Sequence, residues 1–386
     1  MDLTIVVPVY NAAAYLPACL EQLQNQGFAA GAYEIVLVDD GSVDDSPRLC
    51  DEYARTIDCV RAVHQGENRG AGAARNRGIE EARGDYLYFF DADDAIEPGS
   101  LARLVERMKA DDLDVLFFGA RVVYESERAE ALHPQDADYF RRITQPGILN
   151  GKAMFEHQVR AGDFCAQPCV QICKTSYVRE GGVRFAEGMV NEDNEFVIRS
   201  MTADGRCAMV PDTCYGYLVR EGSVTTDQSK GLARLRAHMY LSDFCRARAY
   251  AARDAGEDGL CEAFSMLDEW FVDCAVEACD SMVDGFPSTP LWPDNVMAAA
   301  DQRECYWRLW QRQNIIRIQE GSIADLDAKL AATRAELDES RRETAAKIEE
   351  LDAAYAEIEA LRSSVSFKVG RAITALPRAV KRALGR

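Results

Sequence analysis

Short apolar runs alternate with amphipathic stretches through the first third of the chain, and this constrains the fold more than any other feature. Leu3-Thr-Ile-Val-Val-Pro-Val9 reads as a strand buried on both faces. Asn11 to Gln26 carries Leu16, Leu20 and Leu23 at helical spacing. Glu34–Val38 is the second expected strand, and Ser46-Pro47 starts a helix as N-cap and first helical residue. Cys59–Val63 is a weaker third strand, followed by a helix over Ala71–Ala82 that Gly84 closes. Tyr86–Phe90 is the fourth strand, Pro98–Lys109 its helix and Val115–Phe118 the fifth strand. Strands and helices that alternate over short connections imply right-handed crossovers and a doubly wound, mostly parallel α/β sheet.

In such a sheet, loops far apart in sequence share the rim at the strands' carboxyl ends, where ligands bind. Three polar clusters fall on that rim: Pro8-Val-Tyr10-Asn11, Asp39-Asp40-Gly-Ser42 and Asp91-Ala-Asp93-Asp94. An Asp-rich turn is the plain reading of any one of them. Asp91 and Asp93 together, however, put two hard oxygen ligands at one strand end. That arrangement suits Mn²⁺ or Mg²⁺ when phosphates complete the coordination.

These segments resemble family 2 glycosyltransferases, which have the GT-A fold. The residues that carry the resemblance are Pro8-Val-Tyr-Asn11, Val38-Asp-Asp-Gly-Ser42, Asn68 to Gly78 and Phe90-Asp-Ala-Asp-Asp94. Gly182-Val-Arg-Phe185 through Asn191-Glu-Asp193 resembles the acceptor-side motif, and Tyr217-Leu-Val-Arg220 with Gly222-Ser-Val-Thr225 resembles the end of the catalytic domain. Six motifs in order are specific where one would not be. The resemblance implies that Asp39, with Pro8 and Tyr10, binds the nucleotide base and ribose, with Asp40 beside them. It also implies that Arg75 lies near the diphosphate, that Asp91 and Asp93 hold the metal–nucleotide-sugar complex, and that Asp193 is the general base. An alternative for Asp193 is an acid complementing the dipole at a helix N-terminus.

The chemistry asks for such groups. A departing nucleoside diphosphate accumulates charge that a divalent cation neutralises. The acceptor hydroxyl becomes a nucleophile once a carboxylate takes its proton. A base on the face opposite the leaving group gives one in-line displacement and inverts the anomeric centre. Gly70-Ala-Gly72-Ala-Ala-Arg75 is not a dinucleotide fingerprint, because arginine stands at the third glycine and the loop follows the third strand. Ala71, Ala73 and Ala74 read instead as a helix packed closely beside the sheet.

The thirteen cysteines contain no CxxC pair, and with no signal peptide apparent a reduced cytosolic setting is expected. Cys165, Cys169 and Cys173 read as buried, because Pro168 interrupts any helical metal-binding face. The four histidines form no cluster and receive no role. A net charge of −20 argues against nucleic acid as partner. No apolar stretch approaches the roughly 20 residues that cross a bilayer.

Residues 1–226 are therefore expected to form the catalytic domain, 227–312 a helical region, 313–365 a coiled coil and 366–386 a basic tail. Leu232, Leu235, Met239 and Phe244, then Phe264, Leu267, Phe271, Ala275 and Val276, mark apolar helix faces, and Phe286 to Pro293 a break. Ile323, Leu326, Leu330 and Leu337 fit a heptad, weakened by polar Thr333, Ser340 and Thr344, that resumes after a one-residue slip at Ile348, Leu351, Tyr355, Ile358 and Val365; self-association is expected, with a solvated single helix the alternative. The last 21 residues hold six Lys or Arg and no acid, whereas the remainder of the chain carries 38 basic against 64 acidic residues. Ile373, Leu376, Val380 and Leu384 share one face of this tail, a pattern that suits an anionic membrane surface.

Two functions follow as expectations. The first is a metal-dependent inverting transferase using a nucleotide-diphosphate sugar, with UDP-sugar the expected donor. It would act at the cytoplasmic membrane face on a cell-surface glycan or lipid-linked precursor. The second is a non-catalytic nucleotide-sugar-binding or scaffold protein working through the coiled coil. The presence of Asp91, Asp93 and Asp193 together favours the enzyme.

Overall fold

The computed structural model describes residues 1–132, 140, 142, 144–220, 231–280, 308 and, within 328–360, all but 336–338, 340–341, 344, 348 and 352. In chain order the elements are β1 (Leu3–Val9), α1 (Leu16–Gln24), β2 (Tyr33–Asp39), α2 (Ser46–Thr56), β3 (Val60–His64), α3 (Ala71–Glu81), β4 (Tyr86–Phe89), β5 (Ala95–Ile96), α4 (Ser100–Asp111), β6 (Val115–Phe117) and β7 (Ala120–Tyr124). Then follow α5 (Glu127–Leu132), β8 (Leu149–Asn150), α6 (Gly151–Ala161), β9 (Gln171–Lys174), α7 (Thr175–Glu180), α8 (Glu192–Thr202), β10 (Arg206–Met209), β11 (Tyr215–Val219), α9 (Gly231–Asp254) and α10 (Asp258–Asp280).

The main sheet has the order β3-β2-β1-β4-β9-β6-β10-β8. The strands β3, β2, β1 and β4 pair in parallel, as the alternating pattern predicts, and β6 pairs in parallel with β10. The sheet is mixed where β9 inserts antiparallel between β4 and β6. This strand was not expected. Gln171–Lys174 is short, follows the single turn Pro168–Val170 and shows no alternation, so only tertiary pairing defines it. A second sheet has the order β5-β11-β7, and its β11 meets the turn after β4 through Tyr215 and Leu218.

Local sequence explains two shifts of boundary. The first helix starts at Leu16, not Asn11, because Asn11 has φ +50° and Pro17 suits the first turn. Ser46 is the first residue of α2 and not its cap, which is Asp45. The Ser46 hydroxyl accepts instead from Ala12 N at 2.9 Å. The ladder of β1 against β2 thus extends into the loops above it. Cys165, Cys169 and Cys173 are all buried. The cysteines whose side chains are described, from Cys19 to Cys274, are free.

Two compact units divide the chain, Met1–Arg312 and Gln313–Arg386. In the first, α9 and α10 pack as a helical hairpin and bury Leu235, Met239, Phe244, Phe264, Leu267, Phe271, Ala275 and Val276 of the expected faces, while Leu232 is only partly buried. In the second, the described residues between 328 and 360 are helical, and Leu330, Leu351, Tyr355 and Ile358 are exposed in the single chain. The Phe286–Pro293 break, the other heptad positions of 313–365 (Ile323, Leu326, Leu337, Ile348, Val365) and the whole of 366–386 lie outside the described residues. Among the described residues, no helix is long and apolar enough to cross a membrane.

Candidate active site

The first two strand ends build one wall of the rim. Pro8 is partly buried in β1, and Tyr10 just beyond it is 48% exposed. Asn11 N donates to Ser42 Oγ at 3.0 Å, and Val43 N donates to Asn11 Oδ1 at 2.9 Å, so the loops after β1 and β2 are laced together. Asp39 is buried, and its Oδ1 accepts from Ser42 N at 3.1 Å. His64, in register with Asp39 on β3, sits with Nδ1 3.0 Å from Asp39 Oδ2 and Nε2 3.1 Å from Asp51 Oδ1. A hydrogen bond to Asp39, helped by Asp51 and opposed by partial burial, raises the imidazole above its usual range. His64, given no role from sequence, therefore orients Asp39. The register of β2 against β3 could have revealed it, but a search for clustered histidines could not.

Asp40 differs from its neighbour. Its Oδ1 accepts from Gln65 Nε2 at 2.7 Å and Arg69 N at 2.8 Å, and its Oδ2 from Gly70 N at 2.8 Å. The buried carboxylate thus holds the 65–70 loop.

Arg75 is the centre of the site. Its guanidinium is buried, with Nη2 2.8 Å from Asp91 Oδ1 and Nη1 2.8 Å from Glu192 Oε1. Burial opposes its charge, but the two carboxylates outweigh burial and hold the pKa above its usual value. One side chain therefore joins the turn after β4 to the start of α8, which lie about a hundred residues apart in sequence. The approach depends on Gly72. A Cβ there would come within 2.6 Å of Ala186 O and 2.9 Å of Glu192 Cγ. Asn76 completes the seam, donating from Nδ2 to Phe185 O at 3.0 Å and accepting from Phe185 N at 2.9 Å.

The turn after β4 is held from both sides. Asp94 is buried, accepts from Leu218 N at 2.7 Å and receives the Tyr215 hydroxyl. Burial first, then nearby Asp91 and Asp93, push its carboxyl well above the usual range. Arg220, at the end of β11, donates to Asp93 Oδ2 from Nε at 2.9 Å and lies 2.8 Å from it through Nη2. Its guanidinium also lies 5.1 Å from the Tyr15 ring centroid. Asp91 and Asp93 thus each engage one oxygen with arginine, leaving a second oxygen on each. Among the described residues, no group of three or more His, Cys, Asp or Glu side chains could hold a metal unaided.

Asp193 lies in the first turn of α8, and its Oδ1 accepts from Asn194 N at 2.9 Å and Asn194 Nδ2 at 3.0 Å. Burial, then the adjacent Glu192, raise its carboxyl to about 7, with Arg75 pulling the other way. Phe196 of the same helix stacks on Phe185 at 4.0 Å and meets Phe89 edge-on at 5.4 Å, fixing α8 against β4. A cavity of about 490 Å³ opens beside it, lined by Arg184, Phe185, Glu187, Glu195, Arg199 and Tyr240 among others. Sequence reading missed Glu192 and Arg220 as partners of Arg75 and Asp93. Both lay inside quoted motifs, but only the folded contacts give them work.

Comparison with known proteins agrees with this geometry. Residues 4–166 match the family model described as glycosyl transferase family 2. The protein named EpsH of Bacillus subtilis (strain 168) is 38% identical over 233 residues, covering 59% of this chain and 64% of EpsH. The succinoglycan biosynthesis protein ExoO of Rhizobium meliloti (strain 1021) is 32% identical over 234 residues, 58% of this chain and 62% of ExoO. The chain thus covers less than two thirds of each relative's length. The crystal structure of S. aureus TarS 1-349 in complex with UDP-GlcNAc is similar over 81% of this chain and 92% of that one, with a TM-score of 0.51 and 19% identity. At that identity the likeness speaks to the GT-A fold.

Proposed function

We propose that this chain, whose residues 4–166 match glycosyl transferase family 2, is a metal-dependent inverting glycosyltransferase of polysaccharide biosynthesis. It transfers a sugar from a nucleotide-diphosphate sugar, with UDP-sugar the leading donor, to a hydroxyl of a cell-surface glycan or lipid-linked precursor. The observation that carries this reading is the Arg75 bridge, which sets Asp91 and the Glu192–Asp193 turn against one guanidinium.

The residues fit a divalent cation. Two carboxylates with one remaining oxygen each, plus diphosphate oxygens, form the donor set that Mn²⁺ or Mg²⁺ takes. Asp91 and Asp93 would hold the ion, which when bound supplies charge neutralisation of the departing diphosphate. Pro8, Tyr10 and the His64-oriented Asp39 line the wall assigned to base and ribose. Asp40 supports that wall by fixing the 65–70 loop. Arg75 orients Asp91 beside the diphosphate. Asp193 takes the acceptor's proton, and a carboxyl near pH 7 suits a base at neutral pH. Self-association through 313–365 and attachment of 366–386 to the cytoplasmic membrane face complete the proposal.

A panel of nucleotide sugars beginning with UDP-GlcNAc, assayed with Mn²⁺ for donor hydrolysis and transfer, tests it. At least one donor should turn over in the wild type, and Asp93→Ala should lose both turnover and Mn²⁺-dependent nucleotide binding while keeping its fold. Undiminished turnover in Asp93→Ala contradicts the metal assignment. Donor binding without turnover across the panel would favour the scaffold reading.

A further inference from the structure

The helical hairpin beyond the family match closes on the turn that carries Asp193. Asn191 caps α8 in a left-handed conformation, φ +58° and ψ +31°, uncommon for a residue other than glycine. Its side chain makes no cap hydrogen bond to its own helix. Instead Nδ2 donates to His238 Nε2 of α9 at 2.7 Å. His238 lies near-parallel to Phe271 of α10, 6.3 Å between centroids, so both helices of the hairpin define its position. Burial lowers this imidazole to about 4, leaving a neutral ring whose Nε2 lone pair can accept. Two further contacts tie α9 to α8. Tyr240 donates its hydroxyl to Glu195 Oε2 at 2.9 Å, and the Arg199 guanidinium lies 5.1 Å from the Phe244 ring centroid. The residues directly after Asn191 are Glu192, which grips Arg75, and Asp193.

We propose that His238 is a positioning residue for proton abstraction. By accepting from Asn191 it fixes the left-handed turn that aims Glu192 at Arg75 and Asp193 into the rim. The hairpin thereby governs turnover, and through the Glu192–Arg75–Asp91 contacts it also bears on the diphosphate side of the site. This rests on reading Asp193 as the base. The device is specific: a hydrogen bond to a neutral ring holds one rotamer of one cap residue, and misplacing a catalytic group by about 1 Å can cost about 10²-fold in rate.

Variants of the full chain test this by hydrogen–deuterium exchange and by steady-state turnover of the panel's active donor. Asn191→Gly keeps the left-handed backbone without steric cost and removes only the amide, so it reports on the hydrogen bond even where His238→Leu unfolds. In both variants, amides of residues 191–198 should exchange about ten-fold faster while β1 and β4 keep their protection. Turnover at saturating donor should fall about ten- to hundred-fold, a larger change than that in donor KM. His238→Gln, which restores an acceptor, should recover part of both losses, and the double variant should be no worse than either single. Wild-type exchange and turnover in Asn191→Gly overturn the proposal, as do additive losses in the double variant. Asp193→Asn run alongside separates the two claims. If it transfers normally, the base assignment has failed. If it is inactive while Asn191→Gly is unimpaired, only the positioning role falls.

Discussion

The rim works through pairs of residues in which one side chain fixes another. Asp39 and Asp40 are adjacent, yet one is oriented by His64 while the other holds the glycine-rich loop. His64 gives a pH test of the first pair. Its folded-state pKa is raised, so its contribution to stability is fully present below the unfolded value of about 6.5 and is lost as pH rises through the folded value. Melting temperatures of wild type and His64→Ala should therefore differ most at mildly acid pH and converge in alkali. A gap that widens with pH would show that His64 is not held as the cation. Asp39, Asp91, Asp93 and Asp193 were all legible as candidates because each follows an apolar run or a motif. The partners His64, Glu192, Asn76 and Arg220 were not, because hydrogen-bond partners distant in sequence leave no local pattern.

At the scale of elements, the strand–helix alternation was readable because strands buried on both faces are nearly all apolar. The antiparallel insertion of β9 was not, since four residues after a proline carry too little periodicity to register. Its consequence is structural: β9 separates β4 from β6 and brings α8 over the end of β4. The stack of Phe89, Phe185 and Phe196 then seats α8. Phe196 is fully buried, so Phe196→Ala should destabilise by about 3–5 kcal/mol. Urea unfolding reads this directly. A loss below about 1 kcal/mol would mean the helix is seated by other contacts.

At the scale of the whole molecule, the sequence runs from an acidic body to a basic last segment, and of the proposed heptad between them Leu330, Leu351, Tyr355 and Ile358 are exposed in the single chain. Each basic residue near an anionic surface contributes about 1 kcal/mol, weakened by salt. Deleting 366–386 should release the protein from anionic vesicles while leaving activity on a soluble acceptor analogue. Removing 313–386 should also convert any oligomer to a monomer by sedimentation equilibrium. Equal vesicle binding by full-length and truncated chains would return the tail to a solvated appendage, and an unchanged mass would do the same for the heptad.

The pH–rate profile of transfer at saturating donor, for wild type and Asp193→Asn, tests the central claim most directly. The wild type should gain activity as pH rises through about 7, because Asp193 as the proposed base acts only once it has lost its proton. Asp193→Asn should bind donor normally, lack that limb and transfer about 10²-fold or more slowly. A variant with weakened donor affinity but intact turnover at saturation would assign Asp193 to the donor site and contradict its role as the base.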